Sequence, residues 1–540
     1  ISNSAFNKIL KEKSDVRYYV MKDYKGLKKE KVKAFKALAK KDKNIKGVTF
    51  DERYKRYYPY STVGSKVVGF CSTDNTGVWG IESKYNSSLN GVSGRRYGYF
   101  NTDLDLVETV NEPTNGNNIT STIDVNVQGI LERHMNTFQK NTGSKNMGCI
   151  IMNPQNGEIY AMSSYPEYNL NNPRDLSAFY SPEKIDKMSD KKKTENLNKI
   201  WRNYCISDAY EPGSTFKPMT VAACLDEGVT TGSRAYHCDG YQVINGVRIK
   251  CVAYSRGGHG TINICQSLME SCNDVLMQLG ADLGKRKFLQ YVNEFGFGKK
   301  TGIDLPGEAT GGVFTNDTMH AVELATSSFG QGQTVTMIQM AAAFSSVING
   351  GNYYEPHVVK EVKSENGAVL ESNDNALVRR VITENTSKKL RKYLYKTVEE
   401  GTALPAKVAG YQIGGKTGTA EKHPTGRGNY LVSFIGFATK DNPEVMIYVT
   451  IDEPHVADQA HSTYATQFSS EVLKEVLPVL GMYQDSSTKK ADKTKASDIK
   501  LPSTKEAPDG GYSDGTYSVA GDQTDGTDTA NTASPVPSAE

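Results

Sequence analysis

Apolar positions along this chain change their period more than once. Between Lys28 and Lys43, Val32, Phe35, Leu38 and Ala39 recur at helical spacing with lysines between them, predicting an exposed helix with one packed stripe. Residues 47–110 are rich in aromatics and glycine and carry short strand-like runs, Val67-Val68-Gly69-Phe70 and Tyr97-Gly98-Tyr99-Phe100. The polar stretch Asn111–Asn118 reads as a linker. After Thr122, Asp124 can cap a helix reaching about Gln139. A hairpin follows, with Cys149-Ile150-Ile151 and Ile159-Tyr160-Ala161 flanking the turn Pro154-Gln155-Asn156-Gly157. Helical patterns then cover 214–226, 262–281, 334–348 and 386–400, and strand patterns cover 407–414, 430–438 and 444–451. Strands, a block of helices, then strands again predict an α+β domain with an antiparallel sheet.

Composition sharpens the boundaries. Residues 485–540 are Ser, Thr, Asp, Gly, Ala and Pro with hardly an aliphatic, too few to bury a core, so a disordered spacer is expected there. The expected division is therefore a pedestal over 1–118, a catalytic domain over 119–484 and a tail over 485–540. The formal net charge of +3 argues against a nucleic-acid binder with a wholly basic surface. That balance hides an asymmetry: residues 1–46 hold fifteen Lys/Arg against five Asp/Glu. The bland reading is a solvated helix; the sharper one is attraction to an anionic membrane or wall surface. No run of about 18 apolar residues occurs. The first residue is Ile1, which suggests a processed product with any signal or anchor upstream.

The chemistry concentrates at three places. In Glu211-Pro212-Gly213-Ser214-Thr215-Phe216-Lys217-Pro218, Ser214 stands at the first turn of a predicted helix and Lys217 lies one turn on, on the same face. A serine hydroxyl needs a base, and a lysine serves when burial and a cationic neighbour keep it neutral. Alone, this S-x-x-K is weak, because an N-cap serine beside a surface lysine gives the same string. Ser271-Cys272-Asn273 follows 57 residues after Ser214, and Lys416-Thr417-Gly418-Thr419-Ala420 begins 143 residues after Asn273. Together the three are the signature of penicillin-binding proteins and class A β-lactamases. Ser271 can relay a proton between Lys217 and a departing amine, and Asn273 can bond a substrate amide. Lys416 supplies charge that lowers the basicity of Lys217, while Thr417 and Thr419 offer hydroxyls to a carboxylate. Gly418 lets a substrate backbone lie along the strand edge.

On these motifs the chain resembles a class B penicillin-binding protein, the monofunctional transpeptidase type. The likeness runs from about residue 47 to 480. It includes the segment from Arg53 to Pro59, Gly77–Glu82 with Leu89-Asn90-Gly91, Phe295–Gly298 through Asp304–Glu308, Ser328–Gln333 with Val335-Thr336, and Tyr430 with Ser433–Gly436. It implies a penicillin-binding, serine β-lactamase-like fold behind a partial pedestal. It also implies acylation of Ser214 by the penultimate D-alanine of a peptidoglycan stem peptide, loss of the terminal D-alanine, and cross-linking by an amine. The implied oxyanion hole is the N–H pair of Ser214 and Thr419. β-Lactams as inhibitors, lipid-linked precursors, a SEDS-family glycan polymerase, elongation or division proteins and a single-pass membrane anchor follow as expected partners and setting. No cofactor and no metal are implied. Alternatives within the fold are a D-alanyl-D-alanine carboxypeptidase or a β-lactamase; a non-enzymatic β-lactam sensor or division scaffold is the alternative outside catalysis.

Histidines and cysteines add little at this level. His259, in Gly257-Gly258-His259-Gly260, reads as a loop histidine rather than a catalytic one, and no H-E-x-x-H occurs. His237, Cys238, Cys251 and His259 have spacings too long for a zinc knuckle. A hairpin from Cys238 to Cys251, turning at Asn245-Gly246, leaves open a disulfide between its ends. Cys149, Cys224 and Cys272 sit in apolar runs and read as small core residues.

Overall fold

A computed structural model describes residues 26–42, 54–100, 106–373 and 377–484, with isolated positions before residue 54. The expected tail over 485–540 lies outside the described residues. Contacts divide the chain into one unit over Ile1–Lys55 and a second over Arg56–Glu540. The first contains helix α1 (Lys29–Lys41), which buries none of its residues; Phe35 on it meets Phe50 edge to face at 5.3 Å. The exposed-helix expectation holds there.

The second unit begins with a departure from expectation. The Val67-Val68 run is not a strand but the end of a short helix, α2 (Ser65–Val68). A four-residue apolar run fits either state, and here Val67 packs into the main core. Strands β1 (Arg95–Phe100) and β2 (Leu106–Asn111) form an antiparallel ribbon. The predicted linker then crosses to Val92 through Thr114 and enters β3 (Asn118–Ser121). Asp124 caps α3 (Val125–Asn141) as expected, its carboxylate accepting from the amides of Asn126 and Val127. The hairpin follows as β4 (Ser144–Met152) and β5 (Ile159–Ser164).

The middle of the chain is mostly helical: α4 (Lys217–Asp226), α5 (Ile264–Met269), α6 (Asn273–Leu283), α7 (Met337–Ile348) and α8 (Glu384–Glu400). Two small ribbons interrupt it. β6 (Ala235–Cys238) pairs with β9 (Gly260–Asn263), and β7 (Tyr241–Ile244) pairs with β8 (Val247–Lys250) across the predicted Asn245-Gly246 turn. The single helix predicted over 262–281 is two, broken where Ser271 takes φ +54. β10 (Val359–Lys363) pairs with β3. The last strands are β11 (Ile413–Glu421), β12 (Tyr430–Ala438) and β13 (Val445–Pro454), followed by α9 (Thr463–Val479). The strand predicted at 407–414 begins only at Ile413, because Leu404–Ala406 forms a 3-10 turn.

One five-stranded antiparallel sheet, ordered β11-β12-β13-β4-β5, organises this unit. Its strands are apolar on both faces. Along β13, Met446 and Tyr448 face the helical block containing α4, α6 and α7, while Ile447, Val449 and Ile451 face α3 and α9. Period-two alternation is therefore invisible in the sequence of β13, which reads as one apolar run.

The sheet's own chemistry explains a glycine pattern near β11. A Cβ on Gly415 would lie 2.5 Å from the Phe434 ring, and one on Gly436 would press on the same ring. Phe434 lies fully buried across both positions and clamps β11 to β12. Phe434→Ala is expected to lower unfolding free energy by about 3–5 kcal/mol. Urea unfolding followed by circular dichroism checks this; an unchanged midpoint would remove the clamp from the argument.

Candidate active site

Local backbone preference sets the first side chain. Pro212 and Gly213 end β-pairing and open a 3-10 turn, Gly213–Phe216, that runs directly into α4. Ser214 sits half-buried on this turn and Lys217 is the first residue of α4, as the S-x-x-K reading expected. The turn is held from two sides. The Gly213 amide donates to the Gly330 carbonyl at 2.9 Å, and the Thr215 hydroxyl donates to the Pro212 carbonyl at 2.7 Å. Gly330 has φ +92, and a Cβ there would overlap the Gly213 carbonyl, so only glycine allows this approach.

The second motif occupies the break between α5 and α6. Because Ser271 is left-handed, both its carbonyl and its hydroxyl turn toward α4. Lys217 Nζ donates to Ser271 O at 2.6 Å, to Ser271 Oγ at 3.1 Å and to Asn273 Oδ1 at 2.7 Å. Lys217 is completely buried, and desolvation pushes its amine down to about 8; the nearby Cys272 and Cys251 oppose that shift. Asn273 Nδ2 donates to the Lys250 carbonyl, and the Asn273 amide donates to Cys251 Sγ at 3.3 Å.

The third motif lies on β11, an edge strand with no further partner strand among the described residues. Gly418 faces the nucleophile turn closely: a Cβ there would meet Thr215 Cγ2 at 3.0 Å as well as the Ser433 hydroxyl. Lys416 is also fully buried, donating to Thr417 O at 3.2 Å and Thr417 Oγ1 at 3.3 Å. Thr419 is half-buried two residues on. All eight predicted positions thus lie on three elements that meet beside the β11 edge of the sheet. One part of the reading changes. Lys416 was expected to depress Lys217 by its charge. Burial is the larger cause and depresses both amines, and the mutual repulsion of Lys217 and Lys416 adds to it, with Lys416 pushed well below the usual lysine range.

Two residues escaped the sequence reading. Thr402, whose hydroxyl lies 3.3 Å from that of Thr417, comes from the loop after α8 and had no motif to mark it. Cys251 accepts from the Asn273 amide; the sequence reading singled it out as a hairpin-end cysteine, with nothing to place it beside the site. A buried lysine of lowered basicity one turn from a serine, bonded to a second hydroxyl and close to an open strand edge, is suited to acyl transfer to and from an extended peptide.

Residues 147–475 match the penicillin-binding protein transpeptidase domain, and residues 2–121 match the penicillin-binding protein dimerisation domain. The chain belongs to the penicillin-binding protein transpeptidase family. The class B resemblance read from its motifs is borne out by this pair of matches. Stage V sporulation protein D of Bacillus subtilis is 37% identical over 464 residues, covering 84% of this chain and 68% of the relative. The probable peptidoglycan D,D-transpeptidase PenA of Neisseria meningitidis is 26% identical over 443 residues, covering 80% and 69%. Among solved structures, penicillin-binding protein 3 of Mycobacterium tuberculosis with ampicillin superposes with a TM-score of 0.67 at 23% identity, covering 80% of this chain and 91% of that one. The D,D-transpeptidase domain of a peptidoglycan glycosyltransferase from Eggerthella lenta gives 0.64 at 25% identity, covering 79% and 94%.

With Lys217 as the base for Ser214, acylation of this penicillin-binding protein would follow the charge of the buried amine. The groups facing Lys217 are the Lys416 amine and the Cys251 and Cys272 thiols. As the base must be neutral, acylation by a penicillin is expected to rise about tenfold per pH unit at acidic pH. It should level off as pH passes about 8, where Lys217 loses its proton. Stopped-flow acylation across pH 5–10, at ~0.5-unit steps, reads this out; a flat profile would take the base role away from Lys217.

Proposed function

We propose that this chain is a serine-type D,D-transpeptidase of peptidoglycan, working through an acyl-enzyme on Ser214. The observation that carries the reading is the fully buried Lys217 amine, bonded to Ser271 and Asn273 behind the nucleophile turn. Ser214 Oγ attacks the carbonyl carbon of the penultimate D-alanine while its proton passes to the Lys217 amine. The oxyanion is met by the N–H groups of Ser214 and Thr419. The C–N bond then breaks, and the proton reaches the departing D-alanine amine through the Ser271 hydroxyl. An amine from a neighbouring stem peptide attacks the ester, gives up its proton along the same path, and frees Ser214 as the cross-link forms. Asn273 positions the substrate amide, and Gly418 keeps the edge of β11 clear for its backbone. Thr417 and Thr419, with Lys416 behind them, receive the terminal carboxylate.

β-Lactams acylate the same serine under this reading. The catalytic body works outside the cytoplasmic membrane on lipid-linked precursors and stem peptides, held there by a single-pass anchor and paired with a SEDS-family polymerase. Among the described residues no helix is long and apolar enough to cross a membrane. Residues 1–118 act as its pedestal. The 37% identity to stage V sporulation protein D favours spore formation as its setting.

The test is mass spectrometry of the intact chain with a labelled penicillin. A stable single adduct is expected, lost in Ser214→Ala and slowed at least ~10³-fold in Lys217→Ala with the far-ultraviolet spectrum unchanged. Absence of any adduct would sink the reading. Rapid turnover of the adduct would instead assign a β-lactamase, and release of D-alanine from a pentapeptide without dimer formation a carboxypeptidase.

A further inference from the structure

Four side chains beside the active site converge on one point that the proposed reaction does not use. Cys238, Cys251, His259 and Cys272 place their donor atoms within 4.8 Å of one another. Cys251 Sγ lies 3.7 Å from Cys272 Sγ, and His259 Nδ1 lies 3.4 Å from Cys238 Sγ and 3.6 Å from Cys251 Sγ. The cysteines are free thiols, buried but for the edge where the half-buried histidine closes the group. The open question of a Cys238–Cys251 disulfide is thereby answered for this structure. His237, considered earlier as a ligand, points instead to Thr261 on the exposed face, and Cys272 takes the fourth place.

These spacings have a geometric meaning. A tetrahedral zinc with Zn–S near 2.3 Å and Zn–N near 2.0–2.1 Å has S···S edges of about 3.8 Å and S···N edges of about 3.6 Å. Three of the six edges, at 3.4, 3.6 and 3.7 Å, lie within about 0.2 Å of those values, and all six lie within 4.8 Å. Two backbone amides also donate to the sulfurs, Asn273 to Cys251 and Val275 to Cys272 at 3.4 Å, as amides do around metal-bound thiolates. His259 Nε2 is buried with no hydrogen-bond partner among the described residues, and Nδ1 is the ring atom that faces the cysteines.

The four residues also come from segments that need a staple. Cys238 ends β6, Cys251 follows β8, His259 precedes β9, and Cys272 links α5 to α6. Each ribbon has only two strands and little core of its own: β7 and β8 are mostly exposed, and the β6–β9 ribbon reaches the main core through Tyr236, Cys238 and Ile262. We propose that Cys238, Cys251, His259 and Cys272 form a structural zinc site that pins both ribbons to the Ser271–Asn273 corner and so positions the acceptors of the Lys217 amine. The three thiols bind as thiolates and release their protons on metal entry. Zinc touches no substrate in this arrangement; it acts through Cys272, between the two motif residues, and through Cys251, which holds the Asn273 amide.

Zinc content needs no acylation chemistry, so its failure is distinguishable from failure of the transpeptidase reading. The full chain, purified under reductant without added metal, is analysed by elemental mass spectrometry and by alkylation of native cysteines. About one zinc per chain is expected, with Cys238, Cys251 and Cys272 protected until a strong chelator is added, while Cys265 reacts throughout. Cys238→Ser and His259→Ala should each lose at least about nine-tenths of the zinc, and Cys265→Ser should keep it. Chelation should slow penicillin acylation about tenfold or more, with recovery when zinc chloride is restored. If either variant fails to fold, the wild-type zinc content and alkylation pattern decide alone. A reduced chain that neither carries zinc nor takes it up from zinc chloride overturns the proposal, as does a disulfide among these cysteines under those conditions.

Discussion

Everything at the active end of this molecule is arranged around a lysine amine held out of water without a carboxylate. Among the described residues Lys217 has no ion pair, and its three hydrogen bonds go to a carbonyl, a hydroxyl and an amide oxygen. Neutral acceptors repay only part of an ammonium's hydration, so the protonated form is penalised and the neutral form favoured. That requirement propagates outward. The acceptors must face α4, so Ser271 must take a left-handed conformation, and α5 and α6 cannot be one helix. Lys416, equally buried close by, is repelled by the Lys217 charge, and both amines are held below the usual lysine range.

Such an arrangement opposes folding, and the sheet supplies the compensation. β13 buries both of its faces, and helices cover each side of β11-β12-β13-β4-β5. The cost of two desolvated amines is carried by a core much larger than the site itself, a common division between a strained functional region and a stable scaffold.

The same division explains what was legible from sequence. The sheet strands showed as apolar runs, Asp124 showed as a cap, and the three motifs showed because each is a short local string whose residues share one turn or one strand. Misreadings arose where tertiary structure overrode local pattern. The apolar periodicity over 262–281 carries straight through Ser271 and gives no sign of the break, because the demand for it comes from Lys217, 54 residues away. Val67-Val68 is too short to announce its period. The cysteine–histidine group was least legible of all. Its members are separated by 13, 8 and 13 residues, and only the folding of two ribbons over α6 brings them together. The burial of Lys416 likewise has no local signature.

The nucleophile's position follows from backbone approaching backbone. On one side, Gly330 lets its carbonyl receive the Gly213 amide; on the other, Gly418 lets β11 lie against Thr215. Side chains at either position would push Ser214 away from Lys217 or from the strand edge that a peptide must occupy. Those two walls are rigid because one belongs to the sheet and the other packs behind α4. The third wall, the Ser271–Asn273 corner, is different, since it joins a short helix to α6 and leans on ribbons with little core of their own. A site whose chemistry depends on tenths of an ångström cannot leave one wall loose. Anchoring that corner through Cys251 and Cys272 adds to the packing of Leu268, Val275 and Leu276, and four converging donor atoms supply it.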